Sequence, residues 1–326
     1  MRFTVRTPAS SANLGPGFDA LGLALGLWNE ITIDTAGEAG RIVLEGEEAS
    51  LLNGRENLAE TAMRRLADEA GRTLPPFSIS VRTEIPVARG LGSSAAALIA
   101  GLVAADILLG TELPAASLFS LAWQMEGHGD NACPAVFGGM QVCVHADGRY
   151  LRAACRYPAE LSMAILVPDH SMATKEARKV LPDSYSKADL IHNTGRAALF
   201  VGAMAAGRMD LLDEATQDRV HQPQRAALFP PLFDIFASAS TEIIAKFATI
   251  PACQVAGVAP PLFDAGGAQC NRDAFTCLIG TPVSDAQLDI CNKTIAGAKN
   301  AAGAYDQPTG QKLAVAVMLA AAHTCE

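Results

Sequence analysis

Pro86-Val87-Ala88-Arg89-Gly90-Leu91-Gly92-Ser93-Ser94-Ala95-Ala96-Ala97-Leu98-Ile99-Ala100-Gly101 decides how the rest of the chain is read. Gly90 and Gly92 can take backbone angles that other residues avoid, so their N–H groups can lie side by side with no side chain in the way. Ser93 and Ser94 add hydroxyls and a helix N-cap. Nothing after Ala95 breaks a helix before Gly101, and the run predicts a buried helix to about Leu109. A glycine–serine loop that opens a helix is an anion site, because unpaired N–H groups and the positive end of the helix dipole converge there. The expected anion is a nucleotide polyphosphate. Two other phosphate loops do not fit: Gly-x-x-x-x-Gly-Lys-Ser/Thr and Gly-x-Gly-x-x-Gly are both absent. The same glycines would serve a small-residue turn that lets a helix pack closely, and these residues by themselves leave both readings open.

At 326 residues the chain has room for two domains of ordinary size. With 50% hydrophobic and 18% charged residues it can build a sizeable core, which excludes a disordered chain. A net charge of −9 without a lysine–arginine cluster argues against a nucleic-acid partner. Met1-Arg2-Phe3-Thr4-Val5-Arg6 lacks an apolar signal core, and no stretch reaches the roughly 18 uncharged apolar residues of a membrane span. A cytoplasmic location with no membrane partner is expected. Eight cysteines form no Cys-x-x-Cys pair and have no histidine at ligand spacing, so they read as buried or incidental thiols.

Along the chain, residues 3–6 alternate like a short strand. Thr7-Pro8-Ala9-Ser10-Ser11-Ala12-Asn13-Leu14-Gly15-Pro16-Gly17-Phe18-Asp19-Ala20-Leu21-Gly22 follows as a structured loop. Its Asn13 and Asp19 are turn residues or, equally, an amide and a carboxylate held to bind an ammonium and a hydroxyl. Strands are expected at 29–35, 40–46, 77–82, 140–145 and 161–167, the last opening a second domain. Helices are expected at 57–71, 115–126, 188–207 and 210–217. The helix at 115–126 ends in Glu126-Gly127-His128-Gly129-Asp130-Asn131, a crowded polar cluster beside an apolar run. Glu126 is either a solvated helix end or, with Ser94, one of the few protein oxygens that Mg²⁺ on a triphosphate requires. Further on, Thr174-Lys175-Glu176-Ala177-Arg178-Lys179 is a solvated helix face or a place where a guanidinium fork takes a carboxylate.

These stretches carry a resemblance. Residues 86–96 resemble the phosphate-binding motif of the GHMP kinases, a family that includes galactokinase, homoserine kinase and mevalonate kinase. Residues 8–22 are similar at every fixed position to Pro-x-Ser-x-Ala-Asn-Leu-Gly-Pro-Gly-Phe-Asp-x-Leu-Gly, the N-terminal signature of the homoserine kinase branch. Residues 126–131 resemble Glu-Gly-His-Pro-Asp-Asn, with Gly129 in place of the proline, a change that would loosen the loop. Residues 172–182 carry a stretch that resembles Ser-Thr-x-x-Ala-Arg-x-Val-Leu-Pro, and Asp218-Arg219-Val220-His221-Gln222-Pro223-Gln224-Arg225 resembles Asp-x-x-His-Gln-Pro-Tyr-Arg.

The resemblance implies an α/β (α+β) fold of two domains. A ribosomal-S5-like nucleotide-binding domain would span 1–156 and a ferredoxin-like domain 157–326. It implies ATP and Mg²⁺ as cofactors, L-homoserine as substrate and a homodimer. Pro86, Val87, Ala88, Arg89, Gly90, Leu91, Gly92, Ser93, Ser94, Ala95 and Ala96 would hold ATP. Asn57, which is also a natural helix cap, would lie near the adenine. Ser94 and Glu126 would hold Mg²⁺. Asn13, Asp19, His128, Thr174, Arg178 and Arg225 would bind the amino acid, and Asn131 would lie near the reacting hydroxyl. Another GHMP kinase acting on a different small alcohol and a nucleotide-binding protein without turnover are the rival readings. From about Ala237 to Glu326 no family motif appears, and the expected glycine-rich Ser-Gly-x-Gly-Pro is absent. A diverged subdomain and a shifted reading frame both account for this tail, in which residues 312–322 fit a helix or a strand.

Overall fold

The structure, a computed structural model, describes residues 1–46, 49–52, 54, 56–159, 161, 165, 167, 174–226, 228, 261–279, 283, 285–298, 305, 307 and 311. The chain divides into two compact units. The first comprises Met1–Ser162, Asp169–Pro182 and Met204–Gly207, and the second Met163–Pro168, Asp183–Ala203 and Arg208–Glu326.

The first unit is built on β1 (Arg2–Ala12) and β2 (Leu21–Asp34), an antiparallel pair. Their register shifts between Pro8 and Ala9: Pro8 faces Trp28 while Ala9 faces Leu25. Proline cannot donate to a ladder, and a bulge at this point is a usual way to accommodate one. The rest of the unit follows as β3 (Ile42–Glu45), α1 (Ala49–Leu52), α2 (Leu58–Glu69), β4 (Ser78–Thr83), α3 (Ser93–Leu109), α4 (Ala115–Glu126), α5 (Ala132–Phe137), β5 (Met140–Ala146) and β6 (Arg149–Cys155). The sheet runs β3-β4-β2-β5-β6 with β1 also on β2, and only the β3–β4 pairing is parallel. One face of β2 and β4 is apolar at every second residue, with Ile31, Ile33, Ile79 and Val81 buried. Helices α2, α3 and α4 cover that face through Met63, Leu66, Leu98, Leu102 and Phe119.

α3 is apolar on all sides, as a helix enclosed by other elements must be. It passes through Gly101 without a break. A Cβ there would lie 2.2 Å from the Ala59 carbonyl oxygen at the start of α2, so the glycine lets two backbones touch. Alanine gains about 1 kcal/mol of helix propensity over glycine, whereas overpacking a core costs about 1–3 kcal/mol. The obstacle is backbone rather than a flexible side chain, so the clash wins. Gly101→Ala is expected to lower the midpoint of urea unfolding; an unchanged or higher midpoint would show that α2 and α3 can part freely.

The remaining elements are α6 (Thr174–Lys179), which belongs to the first unit, then α7 (Lys187–Ala206), a 3₁₀ turn (Met209–Leu211), α8 (Leu212–Ala215), α9 (Gln222–Ala226), α10 (Arg272–Ile279) and α11 (Asp285–Gly297). In the second unit the buried Asp218 accepts hydrogen bonds from the backbone N–H groups of Val220, His221 and Gln222 and from Asn193 Nδ2. Burial opposes its charge, but these donors and the nearby His221 hold its carboxyl below the ordinary range.

Several expectations need correction. The segment 7–12 is strand rather than loop, because it pairs with the first half of β2. That half of β2, Leu21–Trp28, was hidden by its glycines, and β6 was not foreseen. The helix expected at 210–217 is a 3₁₀ turn followed by one α-helical turn. Cys270 and Cys291 are not thiols but a disulfide, across which Asn292 Oδ1 also accepts the Cys270 N–H. Cys133, Cys143 and Cys155 are free. The strand expected at 161–167 and the segment 312–322 lie outside the described residues, apart from isolated positions.

Candidate active site

The glycine loop lies between β4 and α3. Ala88, Gly90 and Gly92 all have positive φ, at 57°, 75° and 68°. A left-handed alanine is uncommon and marks a backbone held in place by its surroundings. Ile85, Leu91 and Ala96 pack with Ala9 and Leu25, which anchors both ends of the loop to β1 and β2. The side chains of Val87, Leu91, Ala95 and Ala96 are buried, so what they can offer an anion is backbone N–H. Gly92 is the N-cap of α3, and no side chain caps that helix. The close approach here is specific. A Cβ on Gly92 would sit 2.1 Å from Ser10 Oγ and 3.0 Å from Asn131 Oδ1. By contrast, Gly90 faces open space and is required only by its φ.

Asn57 caps α2, its Oδ1 accepting the N–H groups of Ala59 (3.0 Å) and Glu60 (3.2 Å). The capping job is therefore filled.

The loop after β1 is tightly wound. Asn13, Leu14 and Asp19 all have positive φ, and Asn13 Oδ1 accepts the Asp19 N–H at 3.1 Å. The Asp19 carboxylate meets the Arg178 guanidinium in a two-pronged pair, at 3.0 Å (Nη1–Oδ2) and 2.5 Å (Nη2–Oδ1). Arg178 also stands over the Phe18 ring, 5.6 Å from its centre. Burial works against the guanidinium charge, but Asp19 and the field of Asp130 outweigh it and raise its pKa. Thr174 opens α6, the helix that carries Arg178; its side chain lies outside the described residues.

The third piece is the turn from α4 to α5. Ser94 hydrogen-bonds the Glu126 carboxyl, whose pKa is raised chiefly by burial, with Asp130 adding to the rise and Ser94 and His128 opposing it. Glu126 Oε2 is buried and has no hydrogen-bond partner among the described residues. Such an atom is costly to leave unmatched. His128 Nδ1 lies 2.9 Å from Asp130 Oδ1, and that hydrogen bond pushes the imidazole pKa up against burial. Asp130, only 2% exposed, also accepts the Asn131 N–H at 3.1 Å. Gly129 needs a different explanation from a loosened loop. A Cβ there would lie 2.0 Å from the Trp123 ring, so the glycine is the floor on which that indole rests. The tryptophan in turn packs edge-on against Phe119 and beside Tyr150, a rigid aromatic group rather than a slack one.

The structure thus gathers Asn13, Asp19, Arg178, Ser94, Glu126, His128 and Asn131 into one unit through direct contacts and electrostatic couplings. Arg225 belongs to the second unit, on α9, where its Nη1 lies 3.4 Å from His221 Nδ1. Sequence reading gave no role to Ser10 or Asp130. Ser10 is one of four small residues in a row, Ala9–Ala12, and only its three-dimensional neighbours distinguish it. Asp130 lies within the Glu126–Asn131 run, and its place between a histidine and an asparagine is the available signal. Among the described residues no cluster of three or more His, Cys, Asp or Glu could hold a metal unaided, and no helix is long and apolar enough to cross a membrane.

Residues 57–139 match the GHMP kinases N terminal domain. The chain is 47% identical over 239 residues to the homoserine kinase of Deinococcus radiodurans, covering 73% of this chain and 77% of that one. It is 40% identical over 243 residues to the homoserine kinase of Caldicellulosiruptor bescii, covering 74% and 79%. In three dimensions it resembles the crystal structure of homoserine kinase from Cytophaga hutchinsonii, with a TM-score of 0.62 and 25% identity over 74% of this chain and 79% of that one. With its glycine loop, its paired Asp19 and Arg178 and its buried Glu126 in one unit, the chain belongs to the homoserine kinase family of the GHMP kinases.

Proposed function

We infer that the protein transfers the γ-phosphoryl group of ATP to the side-chain hydroxyl of L-homoserine, giving ADP and O-phospho-L-homoserine for threonine biosynthesis. The observation that carries this reading is the Asp19–Arg178 pair. A carboxylate and a guanidinium that satisfy each other are the mirror of an amino acid zwitterion. The substrate ammonium can replace the guanidinium on Asp19, and the substrate carboxylate can replace Asp19 on the guanidinium fork. A simple alcohol offers neither exchange. Arg225 is assigned as the second carboxylate ligand, and Thr174 and His128 as neighbours of the substrate.

Phosphoryl transfer passes through a loose transition state, so positioning and charge neutralisation outweigh base strength. The bond between the γ-phosphorus and the bridging oxygen breaks, the hydroxyl oxygen bonds to phosphorus, and the hydroxyl proton leaves to solvent or phosphate. Backbone N–H groups over residues 90–94 hold the phosphates at the start of α3. Asn131 orients the hydroxyl and, being an amide, takes no proton. Ser94 and Glu126 fit a Mg²⁺ ion, because the unmatched buried Oε2 is a hard carboxyl oxygen beside a hydroxyl. The ion would supply neutralising positive charge to the transferring phosphoryl group. A cytoplasmic homodimer without membrane or nucleic-acid partners completes the reading.

Steady-state ADP release with Mg·ATP tests it. Release that depends on L-homoserine, and that mevalonate and L-threonine do not elicit, is expected. ATP binding without homoserine-dependent turnover would overturn the reading in favour of a non-catalytic nucleotide-binding protein.

A further inference from the structure

Ser10 lies on β1 between the glycine loop and the α4–α5 turn, and it is fully buried. Three contacts meet on it. Its hydroxyl donates to Asn131 Oδ1 at 2.9 Å. Its N–H donates to the Leu91 carbonyl at 3.1 Å. Its Oγ fills the space a side chain on Gly92 would need. Asn131 meanwhile stands at the N-cap of α5, where an asparagine ordinarily spends its side chain on the helix, yet it makes no such cap bond. Asp130 Oδ1 takes the Asn131 N–H, and Ser10 takes the side-chain carbonyl.

We propose that Ser10 is a positioning residue for phosphoryl transfer: by holding Asn131 Oδ1 it fixes the amide so that its NH₂ donates toward the reacting hydroxyl, in register with the phosphate loop it also touches. This rests on the kinase reading above. An amide has one acceptor and one donor end, and a fixed donor to Oδ1 decides which end faces away. With the NH₂ donating to one lone pair of the hydroxyl oxygen, the other lone pair is left to face phosphorus. Without the serine hydroxyl the amide can rotate, and the acceptor hydroxyl loses its alignment while both substrates remain bound.

A double-mutant cycle of wild type, Ser10→Ala, Asn131→Ala and the double variant tests this, read as kcat, both KM values and the ratio of ADP formed to O-phosphohomoserine formed. The expected result for Ser10→Ala is a kcat about tenfold lower, as for loss of one buried hydrogen bond, with both KM values within about twofold. Its ADP-to-product ratio should rise above that of wild type, as misaligned substrate yields to water. The double variant should lose no more than Asn131→Ala alone, because residues acting as one unit are not additive. Ser10→Cys, nearly isosteric but a weak donor, should match Ser10→Ala and keeps the test open if the alanine variant unfolds. A kcat within twofold of wild type in a folded Ser10 variant, or losses that add, would overturn the inference. Absence of homoserine-dependent turnover in wild type would instead overturn the proposed function.

Discussion

Replacing Arg178 with leucine should raise the KM for L-homoserine by about 30- to 3,000-fold while leaving the KM for ATP within about threefold. The range corresponds to the roughly 2–5 kcal/mol lost when one partner of a charge-assisted, partly buried pair is truncated, at 1.4 kcal/mol per decade. Two effects act together. On the proposed reading the fork that takes the substrate carboxylate disappears, and that carboxylate must still shed water on entering. Asp19, which is about a third exposed, is left facing solvent in the unliganded protein, so the cost to folding is small by comparison. Arg178→Lys separates shape from charge. It keeps the cation but not the two parallel donors, and should fall between wild type and leucine. Initial-rate kinetics with each substrate varied in turn are the measurement. Equal losses toward homoserine and ATP would remove Arg178 from the carboxylate site.

Glu126→Gln should lower kcat by about 10²–10³-fold, the scale seen when one preorganised group is removed from a transition-state charge, and should raise the Mg²⁺ concentration needed for half-maximal rate. The same change should leave the ligand-free protein as stable as before, or more so. The buried Oε2 has no partner among the described residues, and a neutral amide costs less to bury than a charge. The amide can still meet the Ser94 hydroxyl. Turnover and melting temperature moving in opposite directions is the signature of a group kept for chemistry at the expense of the fold. A Mg²⁺ titration unchanged from wild type would sink the metal-ligand role, whatever happens to kcat.

Much of this site was legible from the sequence because its residues break local rules in public. A glycine–serine loop before an all-apolar helix, a stiff Asn13–Asp19 loop and a carboxylate–histidine–asparagine run each look out of place. The pairing of those pieces was not legible. Asp19 and Arg178 are separated by 159 positions, and nothing local to either says that they meet. Ser10 was silent for another reason: a serine between Ala9 and Ser11 in a strand is ordinary until its neighbours are known. The first half of β2 was missed because its glycines look like loop signals, whereas Gly22 instead admits another backbone. A Cβ on Gly22 would lie 1.8 Å from the Asp130 carbonyl oxygen. Helix composition speaks for one segment at a time, whereas strand pairing and close backbone contacts belong to two.

The indole resting on Gly129 also ties two positions together. With proline at 129, as the family resemblance has it, the Trp123 ring could not occupy its present place, since it lies 2.0 Å from where a Cβ would be. Any side chain at 129 would have to displace the indole beside the α4–α5 turn, whereas trimming Trp123 would leave only a void. The dependence is one-sided: Gly129 cannot change while Trp123 keeps its place, whereas Trp123 can change while Gly129 stays.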